Sequence, residues 1–374
     1  MHNFFKNKHI TLLIVNDSPL IIAVISAILK TEPNIKIVGT ARTGIEGVEQ
    51  TIRLKPDIIL MDIHMPEMDG VTATKHIIEK IPYSRILITT ATVTRNMNYI
   101  FDALNLGALD YIKSPSLPYS PGTAIEKKVL RACGEDLIKK LATIINISNK
   151  KLPTLKHNLR DSNKSFNFEP ANDLLLKSEN NDIPVVGIGC STGGPKTLLT
   201  FFKYVPKSFP GTILICQHIE PGFDNDFAVW LSNETQFNIK IASDGINLSA
   251  NSIYIAPAGK NLIVLKNKKL FIEEPKPKQV YAPSIDRLFS SMAENLGKNA
   301  CGIIMTGMGN DGANGIKKIK ENQGEIFIQS NESAIVGSMP LSARISTGIK
   351  KVYMTEELPY LLINWMRRIL ENKK

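Results

Sequence analysis

Residues 10–30, ITLLIVNDSPLIIAVISAILK, set the grammar of the first half of the chain. Six apolar or β-branched residues give a strand. Asn16-Asp17-Ser18 break it, and an apolar stretch with proline at its start reads as the helix that follows. The same unit recurs in IKIVGTA with GIEGVEQTIRL, DIILMD with TATKHIIEKI, RILITT with YIFDALNLG, and finally ALDYIK. Strands alternating with helices imply a parallel five-stranded sheet covered on both faces.

Beyond this unit, Gly122 to Asn146 carries a helical period through Val129, Leu130, Leu137, Ile138 and Leu141, and is predicted to be one terminal helix. From Ser148 to Asn181, segments such as DSNKSFNFEP and KSENND have no apolar period and read as a polar linker. The second half restarts with IPVVGIG, GTILICQH, FNIKIAS, SIYIAP and CGIIMTG, which predict a second, mostly parallel, doubly wound α/β domain. The expected domains are therefore 10–127, a helix and linker over 128–180, and 181–374. A chain of 374 residues has room for both.

Composition narrows the function classes. The apolar fraction of 43% and charged fraction of 21% are those of globular protein. The longest apolar run, Leu20 to Leu29, is too short to span a bilayer, and the first residues lack a secretory leader pattern, so a cytoplasmic protein without membrane insertion is expected. Cys133, Cys190, Cys216 and Cys301 form no CxxC pair and read as free thiols. The net charge of +10 is spread as +1 over residues 1–115, +4 over 116–180 and +5 over the remainder. Such diffuse charge, with no basic recognition helix in the second half, argues against a nucleic-acid partner and against a transcriptional output domain.

In a parallel sheet, ligands bind at the carboxyl ends of the strands, where ITLLIVND, DIILMD and RILITT place Asp17, Asp62 and Thr90. Two convergent carboxylates suit a hard divalent cation, although each alone could simply cap a helix.

In the second half, VVGIGCSTGGPKT runs from a strand through a glycine turn. A dinucleotide fingerprint needs glycine where Thr192 stands, and a phosphate-binding loop needs lysine where Pro195 stands. The turn Gly189-Cys190-Ser191-Thr192-Gly193 instead fits G-x-S-x-G, with Ser191 at a strand-to-helix junction. Alone, that pattern also describes an ordinary helix cap. A serine nucleophile needs a base, and of the six histidines only His218, ending GTILICQH, lies in this half. Asp224, Asp226, Asp244, Asp286 and Asp311 are candidates to orient it. Asp311 stands out because CGIIMTGMGNDGANG runs from a strand into a glycine-rich turn at the same edge. The order Ser191, His218, Asp311 differs from the serine, acid, histidine order of α/β-hydrolases.

These motifs carry two resemblances. VND, MDIHMPEMDG, ITTA and GALDYIKSP resemble response-regulator receiver domains, which have a flavodoxin-like fold. GCSTGG, QHIEPGF and TGMGNDGA, from Ile183 to near the C-terminus, resemble the chemotaxis protein-glutamate methylesterases and protein-glutamine glutaminases of the CheB family. The receiver resemblance implies that Asp62 is phosphorylated, that Asp17, Asp62 and the His64 carbonyl hold Mg²⁺, and that Thr90 is the switch hydroxyl. A histidine kinase would be the phosphodonor. The second resemblance implies a Ser-His-Asp hydrolase acting on glutamate methyl esters and glutamines of chemoreceptors. Its catalytic residues would be Ser191, His218 and Asp311, with the Met308 backbone N–H at the oxyanion and no cofactor for hydrolysis. A non-catalytic adaptor is disfavoured, since all three triad candidates are present.

Two positions depart from the receiver pattern. Asn16 replaces the first residue of the acidic pair, and the lysine expected before proline falls on Ser114, with Lys113 one place earlier. A one-residue shift in a strand turns a side chain to the opposite face. The resemblance with these departures implies slower phosphorylation.

Overall fold

The structure is a computed structural model, and it describes residues 9–91, 97–118, 126–146 and 183–371. The chain divides into two compact units at residues 155 and 156. That division, and the predicted linker with it, lies outside the described residues.

In the first unit, β1 (Ile10–Val15), β2 (Ile35–Ala41), β3 (Ile58–Asp62), β4 (Ile86–Thr90) and β5 (Asp110–Lys113) form one sheet in the order β2-β1-β3-β4-β5. All its pairs are parallel. Helices α1 (Pro19–Leu29), α2 (Gly44–Leu54), α3 (Gly70–Lys80) and α4 (Met97–Leu106) connect them. Burial on both faces explains the nearly unbroken apolar reading of β1, β3 and β4. The helix starts are fixed locally. The side chains of Ser18, Thr43 and Asp69 accept the N–H groups of Ile21, Glu46 and Thr72, filling bonds that a first turn leaves open.

The start of the predicted terminal helix, 122–125, lies outside the described residues, and the remainder is two helices, α5 (Lys127–Cys133) and α6 (Glu135–Ile145), meeting at Gly134. Glycine is needed at this junction, since a Cβ at Gly134 would lie 2.0 Å from Cγ2 of Ile28. The periodicity of Leu137, Ile138 and Leu141 is real, and those residues are buried.

In the second unit, β6 (Val185–Cys190), β7 (Thr212–Gln217), β8 (Ile239–Ile241), β9 (Ser252–Ile255), β12 (Ala300–Ile304) and β13 (Glu325–Ile328) form a six-stranded parallel sheet in the order β13-β12-β6-β7-β9-β8. β10 (Asn261–Val264) and β11 (Leu270–Glu273) add an antiparallel pair. The helices are α7 (Gly194–Phe202), α8 (Asp224–Thr235), α9 (Ile285–Leu296), α10 (Ala313–Glu321), α11 (Ser338–Thr347) and α12 (Leu358–Glu371). β6 and β7 are buried at every position and lie at the centre of the sheet. Phe289, Met292, Leu288 and Ile304 join a core that also holds Val185 and Leu214. Cys190, Cys216 and Cys301 are buried free thiols, as predicted, and burial pushes each thiol up. Among the described residues, no helix is long and apolar enough to cross a membrane.

Candidate active site

β6 and β7 are parallel neighbours at the centre of the sheet, and the residues that follow them are Ser191 and His218. Cys190 pairs with Gln217, so Ser191 and His218 are the next residues of neighbouring strands. The His218 N–H donates to the Cys190 carbonyl at 3.0 Å, extending the ladder by one bond. Ser191 leaves the sheet at once: its N–H donates to the Thr306 carbonyl at 3.0 Å, and its carbonyl accepts the Gly194 N–H at 2.8 Å. The turn needs its glycines. Gly193 has φ +79°, and a Cβ on Gly194 would lie 1.9 Å from Oε1 of Gln217.

His218 Nε2 lies 2.8 Å from Oδ2 of Asp311, and both side chains are largely buried. Sequence alone offered five carboxylates, and this contact selects Asp311. Asp311 also receives the N–H groups of Ile285 at 2.8 Å and Asp286 at 3.0 Å, at the start of α9. The Ser284 hydroxyl and the Gly312 N–H donate to Oδ1 as well. Burial alone would raise this carboxyl, but His218 and the backbone donors outweigh it and hold the group below the usual carboxylate range. Asp311 is therefore an anion at neutral pH, seated on a helix N-terminus.

The strand β12 delivers the turn Thr306-Gly307-Met308-Gly309-Asn310. Thr306 is pinned from three sides: its N–H donates to Oε1 of Gln329 at 2.6 Å, its hydroxyl donates to the Thr192 carbonyl at 2.9 Å, and that hydroxyl accepts the Val336 N–H at 2.8 Å. A Cβ at Gly307 would lie 2.9 Å from Cβ of Ser191, so this turn runs directly against the serine. Met308 is 40% exposed and follows that contact point.

At the corresponding edge of the first unit, Asp62 ends β3, Asp17 follows β1 by two residues, and Thr90 ends β4, 1% exposed. Burial pushes the Asp62 carboxyl up to about 7; the Ile63 N–H opposes this, the Asp17 charge adds to it, and His64 opposes it. Gly70 is required here, since a Cβ would lie 1.9 Å from the Asp62 carbonyl. Lys113 is exposed and Ser114 is buried. The Ser114 N–H donates to the Thr90 carbonyl at 2.8 Å with no compensating bulge. Oγ of Ser114 and Nδ2 of Asn16 are buried without hydrogen-bond partners.

Comparison with known proteins matches residues 12–118 to the response regulator receiver domain and residues 186–362 to the CheB methylesterase. The protein-glutamate methylesterase/protein-glutamine glutaminase of Caldanaerobacter subterraneus subsp. tengcongensis is 34% identical over 342 residues, covering 90% of this chain and 91% of the relative. A protein of the same description from Syntrophus aciditrophicus is 32% identical, covering 95% and 97%. The crystal structure of the Thermotoga maritima CheB methylesterase catalytic domain is 31% identical, with TM-score 0.46, and covers 49% of this chain and 98% of that one. The chain belongs to the protein-glutamate methylesterase/protein-glutamine glutaminase family.

Gln217, the first residue of the QHIEPGF motif, ties the two strand ends together. It is 3% exposed, and its Nε2 donates both to the Ser191 carbonyl at 3.0 Å and to the His218 carbonyl at 2.8 Å. One amide thus joins the backbones of both residues. The signal was its place directly before His218 in a fully buried strand, where a polar side chain needs partners. Gln217→Leu is expected to destabilise the protein by about 1–3 kcal/mol by stripping buried carbonyls of a donor. It is also expected to lower kcat more than KM, as checked by denaturant melts beside steady-state assays.

Proposed function

We propose that this chain is a receiver-controlled hydrolase that demethylates glutamate methyl esters, releasing methanol, and deamidates glutamines, releasing ammonia, on chemoreceptors. The activity is that of its relatives by description. What supports it most here is the 2.8 Å contact of His218 with Asp311, made at the strand end next to Ser191.

In this reading Ser191 Oγ attacks the side-chain carbonyl carbon. Asp311 engages Nε2 of His218, so Nδ1 takes the serine proton and later returns it to the leaving methoxide or amine. The Met308 backbone N–H, on the turn that touches Ser191, stabilises the oxyanion. Water, deprotonated by the same Nδ1, then releases the glutamate and restores Ser191. The anionic Asp311 stabilises the imidazolium formed in each half-reaction without accepting its proton.

Asp62 is the phosphoacceptor, and a histidine kinase is the proposed donor. The residues fit Mg²⁺: the Asp62 carboxyl is raised by burial and by Asp17, a cost that a divalent cation removes. Asp17, Asp62 and the His64 carbonyl would hold it, leaving Thr90 as the switch hydroxyl. The ion would neutralise the phosphoryl oxygens during transfer. Among the described residues no cluster of three metal-ligating side chains occurs, which is compatible with a site built from two carboxylates and a backbone carbonyl.

Methanol release from a methylated receptor tests the first half. The wild type is expected to release it and His218→Ala to lose it; equal release by the two would defeat the mechanism. For the second half, acetyl phosphate with Mg²⁺ is expected to add one phosphoryl group, slowly, at Asp62. Chelation should abolish that labelling while basal hydrolysis continues.

A further inference from the structure

The imidazole of His218 lies flat against the ring of Tyr281, with centroids 4.7 Å apart and planes inclined by 4°. Its other restraints leave one motion open. The backbone is held by the Cys190 carbonyl and by Gln217, and Nε2 is held by Asp311. Those points fix the two ends of a line from Cβ to Nε2, about which the ring can still rock. Rocking keeps the Asp311 bond and swings Nδ1, the nitrogen assigned to the serine proton. A parallel ring in van der Waals contact with one face opposes that motion.

Tyr281 is itself set in place. Gln279 Nε2 donates to its carbonyl, and Gln279 bonds through both amide atoms with Asn261, which is fully buried. On the other side, a Cβ at Gly309 would lie 2.7 Å from the phenol oxygen, and Gly309 has φ +96°. The phenol therefore occupies room that only a glycine leaves, on the same turn that carries Met308. A segment 63 residues beyond His218 in sequence thus presents its aromatic face to the base.

We propose that Tyr281 is a positioning residue for His218: its ring fixes the tilt of the imidazole, and with it the position from which Nδ1 takes the serine proton, and its electron-rich face favours the imidazolium of the transition state. Both effects need the ring and not the hydroxyl. Misplacement by about 1 Å of a reacting group costs on the order of a hundredfold in rate, so partial release of the tilt is expected to cost about tenfold. The inference rests on the assignment of Ser191 and His218 as nucleophile and base.

The test compares Tyr281→Phe and Tyr281→Leu with the wild type and His218→Ala in the full-length chain, using methanol release from a methylated receptor. Tyr281→Phe is expected to keep kcat within about twofold, and Tyr281→Leu to lose about tenfold in kcat with KM unchanged. Thermal melts accompany each variant, and kcat is referred to the fraction folded at the assay temperature. A wild-type kcat in Tyr281→Leu would overturn the proposal. So would equal impairment of the Phe and Leu variants, or a loss carried by KM. Unimpaired activity in His218→Ala would instead sink the triad reading, so the two failures are separable.

Discussion

Asp311→Asn is expected to lower kcat for methanol release by about three to four orders of magnitude, the scale seen when a triad carboxylate becomes an amide of the same shape. His218 Nε2 and the Ile285 N–H share Oδ2, while Ser284, Asp286 and Gly312 donate to Oδ1. Whichever oxygen becomes an amide nitrogen, it faces at least two donors. If the amide turns toward His218, the ring must adopt the tautomer with its proton on Nδ1, which cannot then take the serine proton. If it turns the other way, the Asp286 and Gly312 N–H groups and the Ser284 hydroxyl lose their acceptor, while the Ile285 N–H keeps its own.

The same substitution therefore carries a stability signature. Asp311 has its folded value held below the usual range, so its contribution is present above the unfolded carboxyl value and is lost as pH falls through the folded one. The wild type is expected to be more stable than Asp311→Asn at neutral pH. The gap should narrow below about pH 4, where the unfolded carboxyl takes up a proton. Denaturant melts at neutral and acid pH check the sign; a gap that widens in acid would contradict the anionic assignment.

Ser191→Ala is expected to have the largest effect on turnover, about six orders of magnitude, with almost none on folding. The turn is held through its backbone, by the Thr306 carbonyl, the Gly194 N–H and Gln217, and all three bonds survive the substitution. Methanol release should fall to background while the thermal midpoint stays at the wild-type value. A serine-directed phosphonylating reagent should label the wild type alone. Substantial turnover in Ser191→Ala would exclude a serine nucleophile.

What could be read in sequence was what is local. Ser191, His218 and Asp311 each end a strand or follow one closely, so strand grammar with the rule that parallel sheets bind at their carboxyl edge brings them together. The buried face of Ser114 and the exposed face of Lys113 followed from the two-residue period of a strand. Tyr281 was illegible because it meets His218 across a loop between elements, where no period operates. Gln217 hid inside an apolar strand. The break at Gly134 escaped because the apolar period continues through it, and only contact with Ile28 reveals why glycine is required. The β10 and β11 hairpin was missed for a related reason: short runs such as NLIVL carry no mark of strand direction.

Asn16 and Ser114 have a joint consequence. Relative to the receiver pattern, one exchange removes a negative charge and the other a positive charge, so the formal sum at this carboxyl edge of the sheet is unchanged. Reversing either alone would offset that edge by a full unit in surroundings already dry enough to hold Asp62 near neutrality. The two exchanges are thus balanced in formal charge only as a pair.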